Sequence, residues 1–366
     1  MTDTTQDKPF RCLVTGGCGF IGTNFIRHAL RIRPSWHIVN LDALTYAGNP
    51  LNLENLPNGQ TARHRFVHGD IRDQKILRDL FSGESFDAVV HFAAESHVDR
   101  SILGPDAFVE TNVTGTFRLI EEARKCWTDS GKTDRFRFLN VSTDEVYGSL
   151  GPEGYFLETT RYDPSSPYSA SKAAADHFVR AYHRTYGLPV LITNCSNNYG
   201  PYQFPEKLIP LIILNILDRK PLPVYGDGTN VRDWLYVIDH CEALIRVIEK
   251  GVPGETYNIG GNEERTNIDI VRTLCTAMDR RLKAPASASA HDLISFVKDR
   301  PGHDQRYAID AGKIRRELGW APRYRFEDAL ESTIEWYTAN MDWVNSVRTG
   351  GYREWIEKQY GRPSSG

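Results

Sequence analysis

Apolar runs rich in Val, Ile, Leu and Phe alternate with helical segments through the first half of the chain, and this alternation constrains the fold more than any other feature. The runs show little polar alternation, which is typical of strands buried on both faces of a parallel sheet. The pattern predicts an α/β fold with a doubly wound parallel sheet. The predicted strands are 10–15, 37–42, 65–69, 86–93, 135–142 and 189–196, and the predicted helices lie near 21–32, 73–81, 106–127 and 168–186.

The alternation weakens after about residue 200, where prolines cluster and the candidate helices and strands become short. One further core strand is predicted at 256–259. We therefore expect a smaller interleaved C-terminal region that covers the open edge of a Rossmann-type sheet, with the binding cleft between the two. The predicted division is 1–200 plus 228–262 for a cofactor-binding domain and 201–227 plus 263–345 for a substrate-binding domain.

The composition excludes several classes of protein. The 366 residues carry a net charge of −3, which gives no general attraction to nucleic acid or to an anionic membrane. No apolar run reaches transmembrane length and the polar N-terminus lacks a signal-peptide core, so we expect a cytoplasmic protein without a membrane partner. The six cysteines show no C-x-x-C spacing and the histidines form no ligand pattern, which predicts free thiols and no metal site.

A glycine-rich loop follows the first predicted strand. In T-G-G-C-G-F-I-G, Gly16, Gly19 and Gly22 are spaced as G-x-x-G-x-x-G. Glycines at such a turn let backbone amides approach a pyrophosphate, and the next helix directs its N-terminal dipole at the negative charge. Asp42 ends the following strand, where an acid can accept hydrogen bonds from a ribose diol. The pattern predicts a dinucleotide site that favours NAD over NADP.

Later predicted strands also end in residues that could contact the cofactor. The string H-G-D-I-R-D could meet an adenine, and A-A-E-S follows the strand predicted at 86–93. In open parallel sheets, ligands bind outside the carboxyl ends of the strands. Further cofactor contacts are therefore expected at Asp70, Ile71, Ala93, Ala94 and Ser96.

Two strings carry candidate catalytic groups. S-T-D-E-V-Y-G ends the strand predicted at 135–142 and puts the adjacent carboxyl groups of Asp144 and Glu145 beside the hydroxyl of Thr143. Y-S-A-S-K opens a helix, and its Tyr168 and Lys172 share one helix face because they are four residues apart. A lysine beside a phenol, together with a positive nicotinamide ring, stabilises the phenolate. Tyr168 could then act as the base on a sugar hydroxyl.

The glycine loop, Thr143 and the Tyr168/Lys172 pair resemble the extended short-chain dehydrogenase/reductase family. Within that family the chain is similar to the dTDP-glucose 4,6-dehydratases over about residues 10–345. Cys18 departs from the usual alanine of the family, without consequence for catalysis. The strings that carry the resemblance are L-T-Y-A-G-N at 44–49, A-A-E-S-H-V-D-R-S at 93–101, S-T-D-E-V-Y-G at 142–148, N-N-Y-G-P-Y-Q-F-P-E-K-L-I-P at 197–210 and D-R-P-G-H-D-Q-R-Y-A-I-D at 299–310.

The resemblance implies a lyase that oxidises C4 of dTDP-glucose, eliminates water across C5 and C6, and returns the hydride to C6, so that NAD is recycled. Oxidation at C4 is needed because the C5 proton is not acidic beforehand. Tyr168, with Lys172, would take the O4 proton while Thr143 hydrogen-bonds that oxygen. Glu145 would be the C5 base and Asp144 the C6 acid. Neighbouring like charges and burial can hold two such carboxyl groups in different protonation states.

The resemblance also implies two sets of contacts with the ligands. The basic side chains at 207, 232 and 300 are candidates for the diphosphate. The implied NAD contacts are Gly16, Gly19, Phe20, Ile21, Gly22, Asp42, Thr45, Asp70, Ile71, Ala93, Ala94, Ser96, Asn112, Tyr168, Lys172 and Asn197. The implied dTDP-glucose contacts are Ser96, His97, Thr143, Asn197, Glu206, Lys207, Leu208, Pro223, Tyr225, Arg232, Asn267, Arg300, His303 and Tyr307.

Alternatives of the same fold stay open. A nucleotide-sugar 4-epimerase needs no acid pair after Thr143, a UDP-glucuronate decarboxylase has Ser-Glu there, and a UDP-glucose 4,6-dehydratase would keep all the catalytic residues. A non-catalytic dinucleotide sensor would lose them. The apolar faces of helices 106–127 and 168–186 could form a homodimer through a four-helix interface, as in the family, or pack within one chain. The product could serve rhamnose or another deoxysugar.

Overall fold

The structure is a computed structural model that describes residues 9–57, 59–299 and 303–350. Its strands follow the apolar runs closely, because each run is bounded by turn or capping residues. In chain order they are β1 (Phe10–Thr15), β2 (Trp36–Asp42), β3 (His64–His68), β4 (Ala88–His91), β5 (Arg137–Thr143), β6 (Val190–Cys195), β7 (Asn197–Tyr199), β8 (Leu222–Tyr225), β9 (Val231–Tyr236), β10 (Thr256–Ile259), β11 (Glu264–Thr266) and β12 (Ile294–Val297).

Seven of the strands form the central sheet, in the order β10-β6-β5-β4-β1-β2-β3, and all of their pairings are parallel. The predicted α/β doubly wound fold is confirmed. The order reverses between β1 and β4, and a crevice forms at such a point outside the carboxyl ends of the strands. The glycine loop, the cofactor strings and the acid pair follow strands of this sheet, whereas Y-S-A-S-K opens a helix.

Helices cover both faces of the sheet. Alternate residues of β1 enter different cores, with Cys12 and Val14 on one face and Leu13 on the other, so the strand has to be apolar throughout. The helices are α1 (Phe20–Ile32), α2 (Gln74–Gly83), α3 (Val98–Leu103), α4 (Asp106–Phe108), α5 (Thr116–Asp129), α6 (Pro167–Tyr186), α7 (Leu208–Leu217), α8 (Val237–Lys250), α9 (Asn267–Leu282), α10 (Gly312–Leu318), α11 (Phe326–Ala339) and α12 (Met341–Thr349).

The helix predicted at 106–127 is continuous, but it is not α-helical throughout. A π-helical stretch, Val109–Gly115, separates α4 from α5. The wider turn adds a residue and directs the side chain of Asn112 towards the segment after β4, where it bonds the backbone of Glu95. Such stretches occur frequently at functional sites, and hydrophobic periodicity does not reveal them.

Two smaller sheets follow the change in pattern that the sequence shows after residue 200. One has the order β11-β9-β7, and the other pairs β8 with β12. The β8–β12 pairing aligns Tyr225 with Val297, so segments about seventy residues apart in sequence meet. No helix within the described ranges is long and apolar enough to cross a membrane.

Candidate active site

A cavity of about 540 Å³ opens at the carboxyl ends of the central strands, beside the point where their order reverses. Its wall is built by the segments that follow β1 to β6 and by the start of α6. The predicted site residues that line it are Gly16, Gly19, Phe20, Ile21, Gly22, Asp42, Thr45, Asp70, Ile71, Ala93, Ala94, Ser96, Thr143, Asp144, Glu145, Tyr168, Lys172, Asn197, Glu206 and Lys207.

The glycine turn is closed too tightly for side chains. Gly16 has φ +73°, and a Cβ there would lie 2.6 Å from the backbone nitrogen of Ala93. A Cβ on Gly22 would lie 2.3 Å from the carbonyl oxygen of Gly16. The turn therefore brings the start of α1 against the end of β1, and the first three residues of α1, Phe20 to Gly22, line the cavity. This arrangement fits a pyrophosphate at the helix N-terminus.

Asp42 ends β2 with its carboxylate held by two backbone amides. Its oxygens accept hydrogen bonds from the nitrogens of Cys18 and Leu44, both at 2.8 Å. Burial raises the pKa of Asp42, and the two amide donors act against that shift by favouring the ionised form. Each carboxylate oxygen keeps a second lone pair, so Asp42 can still accept from a ribose hydroxyl.

The two acids follow β5 without a gap. The chain turns from Thr143 into a single 3₁₀ turn, Asp144–Tyr147, which Thr143 caps by accepting from the nitrogen of Glu145 at 3.3 Å. Gly148 ends the turn at φ +92°, where a Cβ would lie 2.5 Å from a carbonyl oxygen. Asp144 and Glu145 are thereby fixed in the cavity wall.

Their environments differ. Asp144 is buried and one of its carboxyl oxygens has no hydrogen-bond partner, whereas Glu145 is half-buried. Burial first, and then the charges of Glu145 and Asp233, raise the pKa of Asp144 well above its usual value. Arg232 and a hydrogen bond with Thr143 reduce this rise. Burial therefore favours the protonated form of Asp144, and one of its oxygens has no hydrogen-bond partner in the protein.

The start of α6 places the tyrosine and lysine. Ser166 and Ser169 form a reciprocal capping box, and Pro167 occupies the first helical position. These residues fix where the helix begins, so Tyr168 and Lys172 lie on the face turned to the cavity.

Both side chains are buried beside β5. Lys172 Nζ donates to the carbonyl oxygen of Val141 at 2.9 Å, and Tyr168 hydrogen-bonds to Thr143. Burial and then the charge of Glu145 raise the pKa of Tyr168 well above its usual value, while burial lowers that of Lys172. The phenol needs a further positive charge near it before it can lose its proton.

Charged groups line the opposite part of the cavity. Glu206 Oε2 lies 3.6 Å from Nε2 of His97 and 3.5 Å from Nη2 of Arg100. Lys207 Nζ donates to the carbonyl oxygen of Ser96 at 3.3 Å. These contacts connect the segment before α7 with the segment after β4, and they set basic groups where an anionic ligand could enter.

Other predicted substrate residues lie away from the cavity wall. The Arg232 guanidinium stacks 4.3 Å above the ring of Tyr307, and both residues interact electrostatically with Glu145 or Asp144. Arg300 falls outside the described residues. The remaining ones are His97 in the cap of α3, Leu208 at the start of α7, Pro223 and Tyr225 on β8, Asn267 at the start of α9, and His303 near the Tyr225 ring.

Asn112 supports the wall rather than lining it. Its side chain accepts from the nitrogen of Glu95 at 2.8 Å and donates to Ser171 at 2.8 Å. Sequence reasoning did not single out Tyr46 and Glu95, which do line the cavity, although both lie within the recognised strings. Among the described residues, no group of three or more His, Cys, Asp or Glu side chains could hold a metal ion.

Comparisons with known proteins agree with this geometry. The model of a family described as GDP-mannose 4,6 dehydratase matches residues 13–333. A dTDP-glucose 4,6-dehydratase of Xanthomonas campestris pv. campestris is 57% identical and covers 93% of this chain and 97% of its own. A dTDP-glucose 4,6-dehydratase of Salmonella typhimurium is 54% identical, and the match covers 96% of this chain and 99% of the relative. A crystal structure of a dTDP-glucose 4,6-dehydratase from Streptomyces venezuelae, with NAD bound, has a TM-score of 0.82 at 49% identity. The match covers 91% of this chain and 98% of that one.

Proposed function

This chain belongs to the GDP-mannose 4,6 dehydratase family and, within it, to the dTDP-glucose 4,6-dehydratases, and from that premise we propose how its residues share the reaction. The enzyme is a hydro-lyase that converts dTDP-glucose to dTDP-4-keto-6-deoxyglucose with NAD as its cofactor. One observation carries the division of roles: Asp144 is buried, with a raised pKa, next to Glu145 and in the same cavity wall as Tyr168 and Lys172.

The residues of the glycine turn fit NAD. The close approach of Gly22 to Gly16 leaves room for a pyrophosphate at the N-terminus of α1, and Asp42 can accept from the adenosine ribose. NAD, when bound, accepts a hydride from C4 of the sugar and later returns it to C6, so the reaction has no net redox change. Asp70, Ile71 and the residues after β4 would hold the rest of the cofactor.

We assign the oxidation at C4 to Tyr168, Thr143 and Lys172. Tyr168 takes the proton of the O4 hydroxyl, and Thr143, already hydrogen-bonded to Tyr168, donates to or accepts from the same oxygen. Lys172 and the positive charge of the oxidised nicotinamide both favour the phenolate, against the burial that opposes it. The ketone that forms at C4 makes the neighbouring C5 proton acidic.

The elimination step needs one base and one acid. Glu145, the half-buried member of the pair, removes the C5 proton. Asp144 donates its proton to the departing C6 hydroxyl, since burial and the charge of Glu145 both raise its pKa and favour its protonated form. An epimerase would require no such pair, which is why the pair favours dehydration.

The nucleotide-sugar contacts remain a proposal. Glu206, Lys207 and Asn197 line the cavity and would meet the sugar and the diphosphate. Arg232 lies beneath the acid pair, close enough to affect the pKa of Asp144, and would reach the diphosphate from that side. Ser96, His97, Leu208, Pro223, Tyr225, Asn267, Arg300, His303 and Tyr307 would complete the site.

We propose the division into an NAD-binding domain at 1–200 plus 228–262 and a nucleotide-sugar-binding domain at 201–227 plus 263–345. Two contacts support the discontinuous first domain. β10 pairs with β6 in the central sheet, and α8 packs against α1. The strands β8 and β12 and the helix α9 belong to the second domain.

A homodimer is the proposed assembly. Phe117 on α5 and Phe178 on α6 are 42% and 40% exposed, and their ring centroids lie 5.9 Å apart. Val109 and Tyr186 extend the exposed apolar face at either end. Two copies could bury this face as a four-helix interface. Phe178→Glu is expected to convert a dimer to a monomer in sedimentation velocity, with Phe296→Glu, an exposed change on β12, as the control that leaves the assembly intact.

We also propose a cytoplasmic location. All six cysteines are free, and five of them are buried. Free thiols persist in a reducing compartment. Fractionation of cells with an antibody to the protein would test this directly.

The reaction is tested by proton NMR in heavy water, with dTDP-glucose and UDP-glucose in parallel tubes. We expect a methyl signal at C6 and deuterium at C5, formed much faster from dTDP-glucose. Faster product from UDP-glucose would reassign the base preference. An inverted C4 with its C6 hydroxyl intact would make the chain a 4-epimerase and remove the proposed roles of Asp144 and Glu145.

A further inference from the structure

A fully buried carboxyl group lies behind the catalytic residues, outside the cavity wall. Asp176 has 0% of its surface exposed. Its Oδ1 accepts a hydrogen bond from Nδ2 of Asn140 at 2.7 Å, and its Oδ2 accepts from the hydroxyls of Ser142 at 2.8 Å and Tyr162 at 3.0 Å. A carboxyl group buried at this depth is costly, and the proposed chemistry assigns it no role.

These hydrogen bonds favour the ionised form of Asp176, against the burial that raises its pKa, and the charge of Lys172 acts in the same direction as the hydrogen bonds. The amide nitrogen of Asn140 can only donate. Arg180 Nη2 donates to the Tyr162 hydroxyl at 2.7 Å, which leaves that hydroxyl to donate its own proton to Asp176. Three donors around one carboxyl group stabilise its negative charge.

Asp176 joins the two elements that hold the catalytic groups. It follows Lys172 on α6 by four residues, as Lys172 follows Tyr168, so the three side chains share one face of the helix. Its partners Asn140 and Ser142 belong to β5, the strand that ends at Thr143 and leads into the acid pair. The distance between the phenol and the acids therefore depends on this contact.

We propose that Asp176 is a positioning residue for the dehydration: it fixes α6 against β5, and its negative charge holds Lys172 as an ammonium ion beside Tyr168. This inference rests on the proposed function, because it assigns to Lys172 the task of stabilising the tyrosine phenolate. Asp176 touches neither the substrate nor the cofactor, and it acts through Lys172 and Ser142.

The charges around Lys172 support this role. Burial lowers the pKa of Lys172, and the charge of Asp176 is the largest influence that raises it again. Burial lowers the pKa of His91 to about 3 and raises that of Cys195 to about 12, so both face Lys172 as neutral groups. The titratable and charged groups facing Lys172 or Asp176 from the surrounding elements are Tyr168 and Arg180 on α6, His91 on β4, Cys195 on β6, Tyr147 in the turn after β5, and Tyr162 in the loop before α6.

The test is the pH dependence of kcat. Asp176→Asn keeps the shape but removes the charge, so Lys172 should lose its proton at lower pH, and the alkaline limb should move down by about one pH unit or more. Ser142→Ala and Tyr162→Phe each remove one hydrogen bond and keep the charge. They are expected to slow the reaction without moving that limb.

A charge-swap variant keeps the inference testable if Asp176→Asn does not fold. In the double variant Asn140→Asp/Asp176→Asn, the two hydrogen-bonded partners exchange places, so the carboxylate lies on β5 and still faces α6. The alkaline limb should therefore return towards that of the wild type. An unshifted limb in folded Asp176→Asn, or a limb in the swap that stays displaced, would overturn the inference. Wild-type enzyme that does not dehydrate dTDP-glucose in the same assay would refute the proposed function instead.

Discussion

Asp144→Asn should make the enzyme slower and at the same time more stable. The amide has the shape of a protonated carboxylic acid, the form that burial favours at this position, so packing is retained. It cannot donate a proton to the departing C6 hydroxyl. Loss of a general acid slows a reaction by about 10²–10⁴-fold, and we expect kcat to fall within that range.

The gain in stability follows from the raised pKa of Asp144. An unfolded chain ionises this carboxyl near its ordinary pKa of about 3.9, whereas the folded chain keeps the proton to higher pH. Because the folded state binds the proton more tightly, wild-type stability falls as pH rises from the unfolded pKa towards the folded one. Each pH unit in that window costs the folded state about 1.4 kcal/mol, so the penalty grows with pH until the pH reaches the pKa of Asp144 in the folded state. The amide of the Asp144→Asn variant does not ionise, so the variant does not incur this loss of stability.

The assay is urea unfolding of both proteins between mildly acidic and neutral pH, at a fixed saturating concentration of NAD. The free energy of unfolding of Asp144→Asn, relative to the wild type, should rise with pH. Asp163→Asn is the matched control, because Asp163 is an exposed carboxyl in the loop before α6. A difference that stays constant with pH, or one that shrinks, would refute the claim that the folded protein favours the protonated form of Asp144.

Three further outcomes are expected. Glu145→Gln should retain NAD yet yield neither a C6 methyl group nor deuterium at C5 by NMR, and wild-type product formation would remove Glu145 from the elimination. Tyr168→Phe should lower kcat by about 10²–10⁴-fold with little change in melting temperature, and near-normal turnover would exclude Tyr168 as the base. Gly22→Ala should weaken NAD binding by at least about tenfold, or ~1.4 kcal/mol, in a calorimetric titration, because its Cβ would lie 2.3 Å from a carbonyl oxygen. Gly83→Ala, where a Cβ would meet nothing within 4 Å, should bind NAD normally.

The fold was predictable because its signals are local. The predicted strands 10–15 and 256–259 match β1 and β10 residue for residue, since a strand buried on both faces must be apolar throughout. The cofactor turn was predictable for the same reason: glycines at fixed spacing between a strand and a helix have few other uses. The π-helical stretch was missed, because its cause is the contact of Asn112 with a segment distant in sequence.

The substrate side was less accessible to prediction from the residues alone. Whether Arg232 meets a ligand or supports its neighbours depends on how β9 lies beneath the acid pair, and no local spacing encodes that. Tyr225 likewise comes near His303 only through the pairing of β8 with β12.

The sequence by itself therefore determined the order of strands and helices, the glycine turn and the chemical types of the catalytic groups, because each depends on residues close together in the chain. Tertiary structure decided what those groups can do. Asp144 and Glu145 are both carboxyl groups next to each other in sequence, and their unequal burial distinguishes the proposed acid from the proposed base. Desolvation and the field of distant charges set protonation states, and both arise only when the strands and helices are packed together.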